Sequence, residues 1–336
     1  MRERPQLIVI VGPTASGKSD LAVAVAKTCR GEIISADSRQ IYQSLTIGTG
    51  KVAGTWHKGA FVYKNIRHHC IDFLAARRTY SAAEFQECAT SAIADIIQRG
   101  KTPIMAGGTA FWINAVVLGS RLPEVAPDAR LRAGLEKKSA GELYIILKKL
   151  DPRRAATVEK KNPRRLIRAI EIARALGRVP KVRVKPSYHT LWLGLNPTKN
   201  VLAHRIHRRA DAMIRAGLIA ETQKLFTQKI TRKRIRELGF EYQAALAYRE
   251  GALTKKELHE RLTRCTLRYA RRQMQWWKRN RAIHWIHTTA QARRLTAAFL
   301  GKDYARDPRM SGEWCSPAPE AGPVRRPPRS RLYFSN

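Results

Sequence analysis

Gly12-Pro13-Thr14-Ala15-Ser16-Gly17-Lys18-Ser19 is a complete G-x-x-x-x-G-K-S/T loop, and its residue types are those that hold a phosphate. Glycines let backbone N–H groups converge on anionic oxygens at a helix N-terminus, where the helix dipole favours negative charge. Lys18 adds a point charge, and Ser19 presents a hydroxyl of the kind that ligates Mg²⁺. A glycine turn with no ligand is the plainer alternative. The full motif in a strand–loop–helix context favours a bound di- or triphosphate. The second chemical element is Asp37, followed by Ser38-Arg39-Gln40-Ile41-Tyr42. A carboxylate beside a phosphate loop can take a proton from an incoming nucleophile, coordinate Mg²⁺, or cap a turn, and the local sequence leaves all three open. No hydrophobic run ending in a Walker-B-type Asp stands where a nucleotide hydrolase is expected to carry one.

These residues need a parallel sheet to bring them together. Leu7-Ile8-Val9-Ile10-Val11 reads as a buried strand and Asp20 to Cys29 as the helix after the loop. Glu32-Ile33-Ile34-Ser35 and Pro103-Ile104-Met105-Ala106 read as further strands, with Gly107-Gly108-Thr109 following the latter. Ligands of open parallel sheets bind at the carboxyl ends of strands, so the loop, Asp37 to Gln40 and Gly107 to Thr109 are expected to share one site. Ser81-x-x-Glu84 and Thr254-x-x-Glu257 are capping boxes, with Gly100 placed to close the first helix and the second running to about Asn280. Val201 to Ala216 reads as a helix stopped by Gly217, and Leu191 to Leu195 as a returning strand.

Charge narrows the partner. The 336 residues carry 64 Lys+Arg against 26 Asp+Glu, a formal net charge of +38, which a metabolic kinase does not need. A polyanion is the partner such an excess suits, nucleic acid first and an anionic membrane surface second; a generally basic proteome is the bland alternative. From Lys148 to Lys185 fourteen Lys/Arg face three acids (Asp151, Glu159, Glu171), a texture suited to phosphate contacts or to a solvated helix face. Tyr269, Trp276 and Trp277 interleave with cations near the end of the long helix, where they either stack on bases or pack inward. The five cysteines are scattered, without a C-x-x-C pair, so neither a disulfide framework nor a zinc site is expected, and a reducing cytosol fits. No segment has signal-peptide or transmembrane character, so no membrane association is expected.

Taken in order, the P-loop, Asp37-Ser38-Arg39-Gln40-Ile41-Tyr42, Ile47-Gly48-Thr49, His68-His69-x-x-Asp72, Tyr80-Ser81-Ala82-Ala83-Glu84-Phe85, Gly107-Gly108-Thr109, Asn162-Pro163-Arg164-Arg165-Leu166-x-Arg168-Ala169-x-Glu171, Leu238-Gly239-Phe240 and Arg272-Gln273-x-x-Trp276 resemble the bacterial tRNA dimethylallyltransferases. The resemblance covers about residues 5 to 287. It implies an α/β, P-loop NTPase-like parallel sheet flanked by helices, with a helical insertion domain and a helical C-terminal part. Residues 1–120 and 190–290 would form the catalytic core, 121–189 the tRNA-gripping insertion, and 301–336 a disordered basic tail. The implied reaction moves a dimethylallyl group from dimethylallyl diphosphate to N6 of adenine 37, beside the anticodon of tRNA. The loop Gly12 to Ser19 would hold the diphosphate, with Ser19 on the Mg²⁺ cofactor. Asp37 would be the general base, with Lys18 and Arg209 on the leaving diphosphate. Asp37, Ser38, Arg39, Gln40, Thr109, Arg130, Arg164, Arg165, Leu166, Ile167, Arg168, Arg236, Glu237, Leu238, Gly239, Phe240 and Glu241 fall in positions that contact tRNA. A cytoplasmic monomer partnered by the anticodon stem-loop is expected. Three departures concern the RNA side: Gly48-Thr49-Gly50-Lys51-Val52 for Gly-Thr-Ala-Lys-Pro, Gly107-Gly108-Thr109-Ala110-Phe111-Trp112 for Gly-Gly-Thr-Gly-Leu-Tyr, and Glu241 where a cation is usual. An adenylate isopentenyltransferase acting on free nucleotide, a P-loop small-molecule kinase and a non-catalytic RNA-binding protein are the competing readings.

Overall fold

Leu7 to Val11 are all fully buried, as a run of five branched aliphatic residues must be when helices cover both faces of its sheet. In the computed structural model, which describes residues 4–301, this run lies in β1 (Gln6–Val11), followed by α1 (Lys18–Thr28) and β2 (Gly31–Ser35). Next come β3 (Thr55–His57), β4 (Ala60–Tyr63), β5 (Ile66–His69), α2 (Ala82–Gln98), β6 (Thr102–Ala106) and α3 (Ala110–Val117). Four helices follow: α4 (Ala129–Leu135), α5 (Ala140–Leu150), α6 (Pro152–Thr157) and α7 (Pro163–Leu176). The chain re-enters the sheet as β7 (His189–Leu195). It continues through α8 (Lys199–Arg215), α9 (Leu218–Thr227), α10 (Arg232–Leu238), α11 (Phe240–Arg249), α12 (Lys255–Trp277), β8 (Ile283–Ile286) and α13 (Thr289–Leu300). The expected tail, and Cys315 with it, lies outside the described residues apart from Gly301.

The eight strands form one sheet in the order β3-β4-β5-β2-β6-β1-β7-β8. From β5 to β8 every pairing is parallel. The expected parallel sheet is extended at the other edge by a hairpin unit, where β3, β4 and β5 pair antiparallel. These strands are only three or four residues long, too short for a periodicity to register. Their turns are legible in hindsight: Lys58-Gly59 and Lys64-Asn65 each have two successive positive φ values, the two-residue hairpin geometry that matches strand twist. The register Ile10↔Ala106, Ser35↔Ala106 and Val11↔Gly194 aligns the carboxyl ends of β1, β2, β6 and β7.

Both expected capping boxes form, at Ser81/Glu84 and Thr254/Glu257, and a third at Ser139/Glu142 starts α5. One hydrophobic cluster joins the sheet to α2, α3 and the helices from α8 to α12. A second, including Leu143, Leu147, Leu166 and Ile170, lies within α4 to α7. Buried Glu171 ties this cluster together by accepting bonds from Arg132, Arg168 and the Asp128 N–H. Cys70 and Cys88, distant in sequence, are free thiols with their Sγ atoms 2.6 Å apart.

Candidate active site

The loop after β1 is shaped by backbone conformations that suit glycine. Gly12 has φ 150°, and a Cβ there would sit 2.8 Å from the Leu195 carbonyl of β7. Gly17, at φ 95°, is the N-cap of α1 and supplies no side-chain acceptor, so the first N–H groups of the helix are free of a capping side chain. Ser16 is buried, and its Oγ has no hydrogen-bond partner among the described residues. Lys18 curls back to donate from Nζ to the Pro13 carbonyl at 2.7 Å, and Arg205 of α8 donates to the Ser16 carbonyl at 3.1 Å. Arg205 was not singled out in the sequence. Its signal was the four-residue spacing from Arg209, which puts both on one helix face.

Asp37 stands just past the end of β2. Its Oδ1 accepts the Arg39 N–H at 2.9 Å, so the turn-capping role exists alongside whatever chemistry the other oxygen performs. Thr109 locks this turn to the end of β6: its N–H donates to the Ala36 carbonyl, and its Oγ1 accepts the Ser38 N–H at 3.0 Å. Arg39 donates to the Glu237 carbonyl at 2.5 Å, tying the Asp37 turn to the end of α10. Lys18 and Arg209 both feel the charge of Asp37. The glycine loop, the acid and the arginine thus meet at one end of the sheet.

Arg209, half-buried on α8, passes over Gly50, where a Cβ would lie 2.0 Å from its guanidinium. The segment carrying Gly50 hangs on Glu221 of α9, which sequence reasoning missed. Its buried carboxylate accepts the N–H groups of Thr46, Ile47 and Gly48 at 2.8–2.9 Å and the Tyr242 hydroxyl at 2.7 Å. Glu241, in the first turn of α11, is pushed up to about 7 by burial, while Arg209 and Arg39 pull the other way.

The expected RNA-side residues divide. Arg130, Arg164, Arg165 and Arg236 are exposed, and Thr109, Ser38, Arg39, Gln40, Glu237, Phe240 and Glu241 are half-buried around the site. Leu166, Ile167 and Leu238 correct the expectation. Their side chains are 0 %, 8 % and 0 % exposed, because they form the inward face of amphipathic helices. Gly239 is buried too, and Arg168 is spent on Glu171 and the Val125 carbonyl. Trp277 packs inside while Trp276 stays 36 % exposed.

Burial pulls Lys18 down from the ordinary lysine value, Asp37 pushes it up and Arg209 pulls it down again, leaving it at about 8. Protonated Lys18 therefore costs the unliganded fold stability at neutral pH, a cost that disappears as pH rises from about 8 towards 10.5. Lys18→Met is expected to raise the melting temperature of the unliganded protein by about 2–4 °C and to abolish pyrophosphate binding. In the parent protein, pyrophosphate affinity is expected to fall as pH rises through about 8. Calorimetric melting and titration with pyrophosphate between pH 6 and 9 check both. An unchanged melting temperature with intact binding would remove Lys18 from the site.

Among the described residues no group of three or more His, Cys, Asp or Glu side chains could hold a metal ion. The donors present are hard oxygens, the exposed Ser19 hydroxyl and Asp37. That set suits Mg²⁺, which takes few protein ligands and completes its shell with phosphate oxygens and water.

A family model described as IPP transferase matches residues 40–280. The tRNA dimethylallyltransferase of Roseiflexus sp. is 39 % identical over 280 residues, 81 % of this chain and 90 % of that protein. That of Anoxybacillus flavithermus is 36 % identical over 290 residues, 84 % of this chain and 91 % of its own. Among solved structures, the tRNA isopentenylpyrophosphate transferase of Bacillus halodurans superposes with a TM-score of 0.65 at 32 % identity, covering 90 % of this chain and 99 % of that one. A eukaryotic dimethylallyltransferase captured acting on tRNA also superposes with a TM-score of 0.65, at 26 % identity, covering 81 % and 69 %. A sheet with a phosphate loop after β1, a carboxylate after β2 and a Gly-Gly-Thr turn after β6 is the P-loop NTPase-like fold of these enzymes, and the chain belongs to the IPP transferase family, the tRNA dimethylallyltransferases.

Proposed function

We propose that this enzyme transfers the dimethylallyl group of dimethylallyl diphosphate to N6 of adenine 37 in tRNA. The observation that carries the reading is the meeting of Lys18, Asp37 and Arg209 at the carboxyl ends of β1 and β2, with Lys18 and Arg209 each in the field of Asp37. The diphosphate lies in the loop Gly12 to Ser19, on the N-terminus of α1, where Lys18 and Arg209 neutralise the charge that grows as the C1–oxygen bond breaks. The adenine N6 attacks C1, and Asp37 takes the proton that N6 sheds, so the products are prenylated adenine and diphosphate. Ser19 would hold Mg²⁺, which supplies further charge neutralisation on the diphosphate when bound. An allylic carbon with partial positive charge is open to water, so closure of the site by the RNA is part of the chemistry. The target base must leave its stack to reach Asp37.

The RNA side is supported by the net charge of +38 and by exposed Arg130, Arg164 and Arg165 on α4 and α7. We assign residues 121–189 to gripping the anticodon stem-loop, residues 1–120 and 190–290 to the catalytic core, and the protein to the cytoplasm as a monomer. Among the described residues no helix is long and apolar enough to cross a membrane.

Incubation with dimethylallyl diphosphate, Mg²⁺ and unmodified tRNA, followed by mass spectrometry of the nucleosides, is expected to yield prenylated adenosine. Replacing tRNA with AMP is expected to yield nothing, and ATP is expected to give no phosphoryl transfer. Prenylated AMP would instead mark a free-nucleotide enzyme, and ATP-dependent phosphorylation a kinase.

A further inference from the structure

Gln273 of α12 reaches from the far end of the chain to two loops of the site. Its Oε1 accepts the Thr14 N–H at 2.8 Å, and its Nε2 donates to the Gly108 carbonyl at 3.0 Å. Thr14 belongs to the diphosphate loop after β1, and Gly108 to the turn after the neighbouring strand β6. The side chain is 5 % exposed, so neither bond has water as a ready substitute. Gly108 is fitted to it: a Cβ there would lie 2.2 Å from Nε2. From Gly108 the connection continues to the base. Thr109 accepts the Ser38 N–H and donates to the Ala36 carbonyl, bracketing Asp37 from both sides.

The chemistry of the two partners dictates the residue. One offers an N–H and the other a carbonyl, so the group between them must accept and donate from the same short planar unit. A carboxylate cannot donate, an ammonium or guanidinium cannot accept, and a hydroxyl on a shorter stem does not span the gap. A primary amide of glutamine length does both.

We propose that Gln273 is a positioning residue that fixes the leaving-group loop relative to the Asp37 turn, so that the carbon under attack and the acceptor of the N6 proton keep their alignment. The inference rests on the prenyl-transfer reading above. Displacement of a reacting group by about 1 Å costs on the order of 100-fold in rate, whereas the loop can still bind its anion after a small rigid shift. The expected signature is therefore a loss in kcat and not in affinity.

Gln273→Met keeps the length and apolar bulk and removes both bonds. It is expected to lower kcat, at saturating tRNA and dimethylallyl diphosphate, by about 10- to 100-fold. The KM for dimethylallyl diphosphate and the affinity for inorganic pyrophosphate are expected to stay near the parent values. Combining it with Thr109→Val, which breaks the same connection one step further on, is expected to cost less than the product of the two separate losses. Melting temperature and pyrophosphate titration are measured on every variant. A kcat near the parent value in Gln273→Met overturns the proposal. So does a loss confined to KM, or a kcat loss accompanied by unfolding and lost pyrophosphate binding. Failure of the unsubstituted protein to prenylate tRNA is a different result, and it removes the functional reading itself.

Discussion

Asp37→Asn is expected to bind tRNA and pyrophosphate and to turn over about 10²- to 10⁴-fold more slowly than the parent enzyme. Asparagine is nearly isosteric, and its carbonyl oxygen can still accept the Arg39 N–H that Asp37 Oδ1 now accepts at 2.9 Å. The turn, and with it the Ser38–Thr109 bond, therefore survives, while the proposed proton acceptor is gone. Loss of one negative charge beside Lys18 and Arg209 also leaves the anion site more positive, so pyrophosphate is expected to bind no more weakly than before. Asp37→Ala is the less informative variant, because it removes the turn cap as well. Single-turnover prenylation with separate filter binding of tRNA and calorimetric titration of pyrophosphate resolves the three quantities. Parent-like turnover in Asp37→Asn would remove the carboxylate from proton transfer and return it to a turn-capping role.

The strand, glycine loop and helix at the amino terminus were legible because everything that defines them is local: a five-residue apolar strand, two glycines that take φ 150° and 95°, and the Lys-Ser that opens a helix. Capping boxes are local for the same reason. What escaped was long-range. Glu221 reads as one acid among polar neighbours in a helical stretch, and nothing near it says that three amide groups some 175 residues earlier depend on it. Gln273 was visible as part of a motif, but its bonds to Thr14 and Gly108 join points 259 and 165 residues away. The RNA-side expectation spans whole stretches, whereas a helix shows solvent only one side of itself. Helical periodicity applied within Arg164 to Arg168 separates exposed Arg164 and Arg165 from buried Leu166 and Ile167. The hairpin strands at the sheet edge carry too few residues for alternation to be read, and only their turn residues mark them.

Glu221→Ala is expected to destabilise the fold by about 3–5 kcal/mol, because it strands three backbone N–H groups and one buried hydroxyl that the carboxylate now satisfies. Each lost bond to a charged acceptor costs about 1.5–3 kcal/mol, and partial entry of water keeps the total below the sum. Glu221→Gln separates charge from geometry. Its amide oxygen can serve Thr46 and Ile47, but its NH₂ then faces the Gly48 N–H, which cannot reverse, so about 1–3 kcal/mol is expected to be lost. Tyr242→Phe removes a single donor, leaves the carboxylate three N–H groups, and is expected to cost about 1 kcal/mol. Urea denaturation with an unchanged slope tests this ordering, and equal midpoints for the parent and Glu221→Ala would refute it. The consequence reaches the chemistry because the same segment carries Gly50, over which Arg209 lies. Once the N–H groups of residues 46 to 48 lose their acceptor, Gly50 keeps the bond from Gln40 Nε2 to its carbonyl at 3.2 Å but no tie to α9, and the surface beneath the Arg209 guanidinium is held less firmly. Glu221→Ala, assayed where it stays folded, is therefore expected to bind pyrophosphate more weakly than Tyr242→Phe does, with Glu221→Gln, which keeps the bonds to Thr46 and Ile47, between them.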